Sequence, residues 1–205
     1  MTEVFSWSRI DPDRKARLQY YAEELLRWSK TYNLIGPCVR DELFDRHFRD
    51  GALLLDHVPA IGKLADVGSG AGLPGIVVAI LAGTFEEICL IESRKKRVRF
   101  LRHIVSTLGL AQVRVFHGEA QAAGAVWAGR FDTVVSRGIG DLLYGAREAW
   151  VLLRPGGRYV TFKGFNYQEE LKLLKSNSVA DLYDMPVILY EEDSTGNRII
   201  ALTKK

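Results

Sequence analysis

Residues 64–75 read LADVGSGAGLPG, with glycines at 68, 70, 72 and 75 directly after an acid, Asp66. Residues without a Cβ let a chain turn tightly and let a ligand lie flush against the main chain. N–H groups freed where a helix begins favour a negative group, such as a carboxylate or phosphate. Two nucleotide cofactors use such a turn. The dinucleotide fingerprint G-x-G-x-x-G requires a glycine at 73 after Gly68 and Gly70, and residue 73 is leucine. The order found here, D-x-G-x-G-x-G, suits S-adenosylmethionine. That molecule has no pyrophosphate to seat and carries a carboxylate, an ammonium and a sulfonium. Asp66, Gly68, Gly70 and Gly72 are therefore candidate cofactor residues, with the acid placed to orient the cationic end. Glu92 closes the apolar run EEICLIE (86–92). A carboxylate at a strand end can accept from both ribose hydroxyls, although dinucleotide folds place an acid there too.

A second group of residues is suited to nucleic acid. Arg94-Lys95-Lys96-Arg97 continues into Arg99, Arg102 and His103. At helical spacing, Val98, Leu101, Ile104, Val105 and Leu108 gather on one side, and Lys95, Lys96, Arg99, Arg102 and His103 on the other. A one-signed face beginning at the cofactor edge reads as a phosphate-contacting surface. Lys95, Lys96, Arg97, Arg99 and Arg102 are its members. Such a face positions RNA without choosing a base. Arg137, after Ser136, and Lys163 each end a predicted strand, within reach of the same crevice, and are the candidate catalytic residues. His47, Arg46 and Asp50 read as a polar brace joining an N-terminal cap to the rest. Cys38 and Cys89 are isolated, without CxxC spacing, and read as reduced packing residues; no metal site is expected.

The elements that must hold these residues follow from periodicity. The 205 residues, 47% apolar and 26% charged with net charge +3, suit one globular domain with an extension. Helices are predicted over 13–30 and 41–57, forming a cap within residues 1–60. From 61 to 205 strands and helices alternate. Strands are expected at 63–67, 86–92, 112–117, 131–136 and 158–163, and helices at 73–82, 94–109, 119–127, 141–153 and 167–176. Pro155-Gly156-Gly157 is expected to stop the last-but-one helix. A closing hairpin, 185–192 and 198–204, turns at Ser194-Thr195-Gly196-Asn197. Alternation of this kind implies an α/β, Rossmann-like, mostly parallel seven-stranded sheet with an antiparallel C-terminal hairpin. Its ligands sit beyond the C-terminal strand ends, near the switch in strand order. Residues 67–85 carry no charge, but their first half is rich in glycine and proline, so a buried strand–turn–helix is expected rather than a membrane span. The N-terminus shows no apolar signal core, which points to the cytoplasm.

YNLIG (32–36), RHFRD (46–50), DVGSGAGLPGI (66–76), IESRKKRVRFLR (91–102), FDTVVSRG (131–138) and FKG (162–164) together resemble the bacterial small-subunit rRNA guanine-N7 methyltransferases, the glucose-inhibited division protein B family. The resemblance runs from about Tyr21 to the C-terminus. It implies a Rossmann-like class I methyltransferase. It further implies methyl transfer from S-adenosylmethionine to N7 of one guanine in the decoding-region loop of 16S rRNA, within the small ribosomal subunit as partner. It carries cofactor contacts onto Gly68, Leu73, Ala120, Gln121 and Arg137. Gln121 stands where the family commonly has an acid, with Glu119 two residues earlier; a glutamine could still accept from the adenine amino group. Guanine N7 has an in-plane lone pair and no proton, so no general base is required of His47. A monomer is expected. The rival readings are a small-molecule or protein methyltransferase, a non-catalytic RNA-binding assembly factor and a nicotinamide oxidoreductase.

Overall fold

The computed structural model describes residue 7, residues 10–192 and residues 197–205. The predicted hairpin tip Ser194-Thr195-Gly196 and the first residues of the chain lie outside the described residues. Helix α1 (Pro12–Tyr32) starts where the sequence predicts: the Asp11 side chain accepts from Arg14 N, and Pro12 occupies the first helical position. It ends at Asn33, in the left-handed region. The predicted second helix is in three parts: α2 (Arg40–Glu42), a π-helical segment (Leu43–Phe48) and α3 (Arg49–His57). No pattern in the sequence marks the π segment. π turns inside α-helices are rare and often adjoin functional sites.

The sheet order is β3-β2-β1-β4-β5-β7-β6. Strands β1 (Lys63–Val67), β2 (Glu87–Glu92), β3 (Val113–His117), β4 (Phe131–Arg137) and β5 (Leu153–Lys163) run parallel, while β7 (Asn197–Thr203) pairs antiparallel with β5 and β6 (Val187–Glu192) antiparallel with β7. The connecting helices are α4 (Gly75–Leu81), α5 (Lys95–Thr107), α6 (Ala120–Trp127), α7 (Leu142–Trp150) and α8 (Tyr167–Lys175). One buried cluster joins α1, α3, α4 and α5 to one face of the sheet, and a second joins α6 and α7 to the other. Side chains alternate between the two faces of a strand, so both faces are apolar and β1, β2 and β4 are buried almost throughout. No helix among the described residues is long and apolar enough to cross a membrane.

Two expectations need correcting. Helix α7 ends at Trp150, and Pro155-Gly156-Gly157 lies inside β5 rather than before it. The register with β4 shifts there, so these residues form a bulge, the place within a sheet where proline is tolerated. Gly156 has φ +73°, and a Cβ on Gly157 would press within 2.9–3.1 Å of three carbonyl oxygens. A 3-10 turn at Ser178–Leu182 was not foreseen either.

Candidate functional site

Strand order reverses between β1 and β4, whose ends lie abreast, with Val67 opposite Ser136. The glycine turn leaves β1 at this point. Ser69 N donates to Ile91 O at 3.0 Å, and the amides of Gly72 and Leu73 fold back on Ser69 O. Ser69 Oγ donates to Asp66 O at 2.7 Å. Gly68 needs its missing side chain twice over: its φ is +67°, and a Cβ there would stand 2.3 Å from Ile139 Cγ2.

Asp66 lies beneath the turn, not in it. It is fully buried, and its Oδ2 accepts from Gly75 N at 3.0 Å. This corrects its assignment as a direct contact for the cofactor's cationic end: its carboxylate is shut off and ties β1 to the start of α4. Burial pushes its pKa up to about 7. A rise from the ordinary 3.8 means that the folded state holds the proton more tightly than the unfolded state between those values. Stability from this group therefore falls as pH climbs from about 4 to about 7 and is level above, an effect on the order of 4 kcal/mol. Asp66→Asn is expected to equal or exceed the parent in stability at pH 8 and to lose that advantage at pH 5, as measured by urea midpoints. His47 acts with the opposite sign in the same range but cancels in the comparison. Asp66→Ala, which also lacks the titrating group but strands Gly75 N, is expected to be about 1–3 kcal/mol less stable than Asp66→Asn at both pH values.

Glu92, only 4% exposed, is a second anchor. Its Oε2 accepts from Gly70 N at 2.9 Å and its Oε1 from Arg94 N at 2.7 Å, with Arg97 Nη1 3.6 Å away. It also lines a hollow between the ends of β1, β2 and β3, together with Gly68, Ala120, Ile139, Glu119 and Glu148. None of the residues lining this hollow is a lysine, arginine or histidine. Carboxylates among apolar walls suit a nucleoside bearing sulfonium and ammonium charges and repel a pyrophosphate. The donor set thus fits S-adenosylmethionine and disfavours a dinucleotide.

Of the adjacent pair to which the resemblance carries cofactor contacts, Ala120 lines the hollow and Gln121 does not. Gln121 is exposed on α6 and does not line the hollow, whereas Glu119, in the turn before that helix, does. Leu73 is also turned away: it packs in the core, and Gly72 backs onto Ile76, Leu101 and Tyr21. Both shape the turn from behind. Tyr144 and Glu148, a turn apart on α7, were missed. Nothing local marks them, because only the tertiary fold brings α7 over Gly68.

On the other side of the β4 loop lies a cleft of about 770 Å³. Arg137 Nη1 donates to Asp50 Oδ2 at 2.7 Å and to His47 Nδ1 at 2.9 Å. A guanidinium can only donate, so His47 Nδ1 presents its lone pair and the neutral ring carries its proton on Nε2. Burial, Arg137 and Arg46 together hold the His47 pKa down at about 4. Burial raises Asp50 above the usual carboxylate range, and Arg137 opposes that rise. The expected brace is therefore His47–Arg137–Asp50. Arg46 does not belong to it: it is exposed and lines the cleft.

Lys163 lines the cleft as well, but Nζ donates to Gly140 O at 2.8 Å and pairs with Glu170 Oε2 at 2.7 Å. Two of its three N–H bonds are spent tying the β4 loop to α8. That arrangement corrects its reading as a catalytic residue and makes it a positioning one. On α5, Lys95, Lys96, Arg99 and Arg102 are exposed as expected. Arg97 turns back towards Glu92 and the glycine turn. His103 is not on the cationic face; it pairs with Glu24 of α1 at 2.6 Å and stacks on Trp28. Phe100 is buried on that same side, against α1. Among the described residues no group of three or more His, Cys, Asp or Glu could hold a metal ion.

The chain is 30% identical over 197 residues to the ribosomal RNA small subunit methyltransferase G of Magnetococcus marinus, covering 96% of this chain and 90% of the relative. It is 35% identical over 181 residues to the protein of the same name from Halorhodospira halophila, covering 87% and 84%. The crystal structure of M. jannaschii TYW2 in complex with AdoMet superposes with a TM-score of 0.52 at 14% identity over 69% of this chain and 67% of that one, a likeness of fold. A family model described as rRNA small subunit methyltransferase G matches residues 14–188. The match spans most of the chain and agrees with the curated relatives, and the chain belongs to the rRNA small subunit methyltransferase G family of S-adenosylmethionine-dependent enzymes.

Proposed function

We propose that this chain transfers a methyl group to N7 of one guanine in the decoding-region loop of 16S rRNA, with residues 1–60 as a cap on a catalytic unit of 61–205. The observation that carries the reading is the adjacency of two sites. Gly138 lines the cleft and its neighbour Ile139 lines the acidic hollow, so a base in one lies next to a methyl donor in the other. When bound, S-adenosylmethionine supplies an electrophilic methyl group. The protein's part is alignment, which alone is worth several orders of magnitude in rate. Glu92 and Ala120 hold the nucleoside, and Gly68 lets it lie against β1. Arg137, fixed by Asp50 and His47, lines the cleft beside Gly138 and is not among the residues lining the hollow, so its place is on the substrate side rather than among the cofactor contacts. No residue has to remove a proton, and His47 is committed to Arg137 through the nitrogen a base would use. Lys95, Lys96, Arg99 and Arg102 bring RNA phosphates to the edge of the site, and Arg46 adds a charge within the cleft. A small-molecule substrate would not need that exposed basic face. Both sites lie on one chain, which supports action as a monomer, and membership in an rRNA-modifying family supports action in the cytoplasm.

Incubating the protein with labelled S-adenosylmethionine and small subunits lacking the modification, then mapping the label, tests the reading. A single N7-methylguanine is expected. Label on another atom, on protein alone or on nothing would overturn it.

A further inference from the structure

Tyr21, on α1, is fully buried and reaches from the cap into the glycine turn, where its Oη donates to Ala71 O at 2.8 Å. The other ties of that turn run to the sheet, through Asp66, Ile91 and Glu92, or stay within it, from the Gly72 and Leu73 amides to Ser69 O. Among the described residues Tyr21 is the cap side chain that hydrogen-bonds it. The ring lies flat on Phe48, the residue after His47, with centroids 5.1 Å apart and planes 2° apart. It also lies 6.3 Å from Phe100, between the basic residues of α5. Burial drives the phenol well above its ordinary pKa, so the hydroxyl stays a donor at any working pH.

We infer that Tyr21 is a positioning residue for the cofactor: from the cap, its hydroxyl sets the glycine turn in the shape that receives S-adenosylmethionine, and its ring seats the turn against the helix that walls the cleft. The inference rests on the proposed assignment of the turn as the cofactor's bed. The peptide that carries this carbonyl is held by two hydrogen bonds, from Tyr21 Oη to its oxygen and from its Gly72 N–H to Ser69 O at 2.7 Å; with glycine at 70 and 72, at φ of +59° and +96°, side chains add little steric resistance to its rotation once one of the two is lost. A buried carbonyl deprived of its donor will turn to find another. Without the Tyr21 hydroxyl the turn would sample other shapes, and the cost of ordering it would fall on binding.

Tyr21→Phe keeps the ring and its stack and removes only the donor. Titration calorimetry with S-adenosylmethionine is expected to show a Kd raised about 5- to 10-fold, the size of one net hydrogen bond. Amide hydrogen exchange over residues 70–73 of the ligand-free protein should speed up by a similar factor. Tyr183→Phe is the control. Tyr183 is likewise buried and donates to a carbonyl, Ala146 O, at 2.6 Å, but in the cluster on the other sheet face. It should lose comparable thermal stability with Kd unchanged. A Kd for Tyr21→Phe within twofold of the parent, or an equal rise in Kd for Tyr183→Phe, would overturn the inference. A parent protein that binds no S-adenosylmethionine would instead overturn the cofactor assignment beneath it, and the role of Tyr21 with it.

Discussion

Arg137→Gln is expected to lower methyl transfer to small subunits by at least about 100-fold, the cost of misplacing reacting groups by an ångström or so. The arginine both lines the cleft and clasps the cap. Its side chain is 21% exposed and that of Asp50 19%, so the pair is mostly out of water. Removing one partner leaves the other buried and unpaired, which here should cost about 1–3 kcal/mol, less than for a fully enclosed pair. Asp50, already raised by burial, would lose the charge that opposes the rise and would protonate more readily still. These two consequences separate in the double variant Asp50→Asn/Arg137→Gln. It should recover most of the lost stability, because no unpaired charge remains, and none of the activity. Urea denaturation and single-turnover methylation measure the two. Single-variant activity within threefold of the parent would show that Arg137 is a structural clasp alone.

Reversing three charges on α5, Lys95→Glu, Arg99→Glu and Arg102→Glu, is expected to cut methylation of small subunits more than about 100-fold near physiological salt while leaving S-adenosylmethionine affinity unchanged. All three side chains are exposed, so the fold should tolerate the change. Each lost phosphate contact takes about 0.7–0.9 from the slope of log affinity against log salt, so the slope should drop by about 2–3. Arg97→Ala provides the contrast within the same helix. It faces Glu92, whose carboxylate pins Gly70, so its loss should weaken cofactor binding and leave the salt slope nearly as it was. Filter binding across a salt series, beside calorimetry with the cofactor, distinguishes the two. A triple variant that methylates normally would remove the basic face from the RNA path.

How much of this was legible in advance varied with range along the chain. The glycine turn, the strand carrying Glu92, the exposed row on α5 and the position of Arg137 at the end of β4 all follow from patterns within a dozen residues. Periodicity and missing Cβ atoms act locally, so local sequence is enough to locate them. The seven strands were found for the same reason, and the parallel order of the first five follows from the helices between them.

Misplaced residues share a different property: their roles depend on partners far away in the chain. Asp66 looks like a ligand for a cation until α4 folds over it and Gly75 takes its oxygen. Lys163 looks free until Glu170 arrives from α8. His103 has the spacing of the basic face, yet α1, some eighty residues earlier, covers it with Glu24 and Trp28. Gln121 and Glu119 could not be told apart until the start of α6 showed which of them faces the hollow. A side chain's chemistry is inherent in the residue, and short patterns assign its element. Whether it is spent on the protein or left for a ligand depends on burial and on opposing charges, and those exist only once distant segments have packed together.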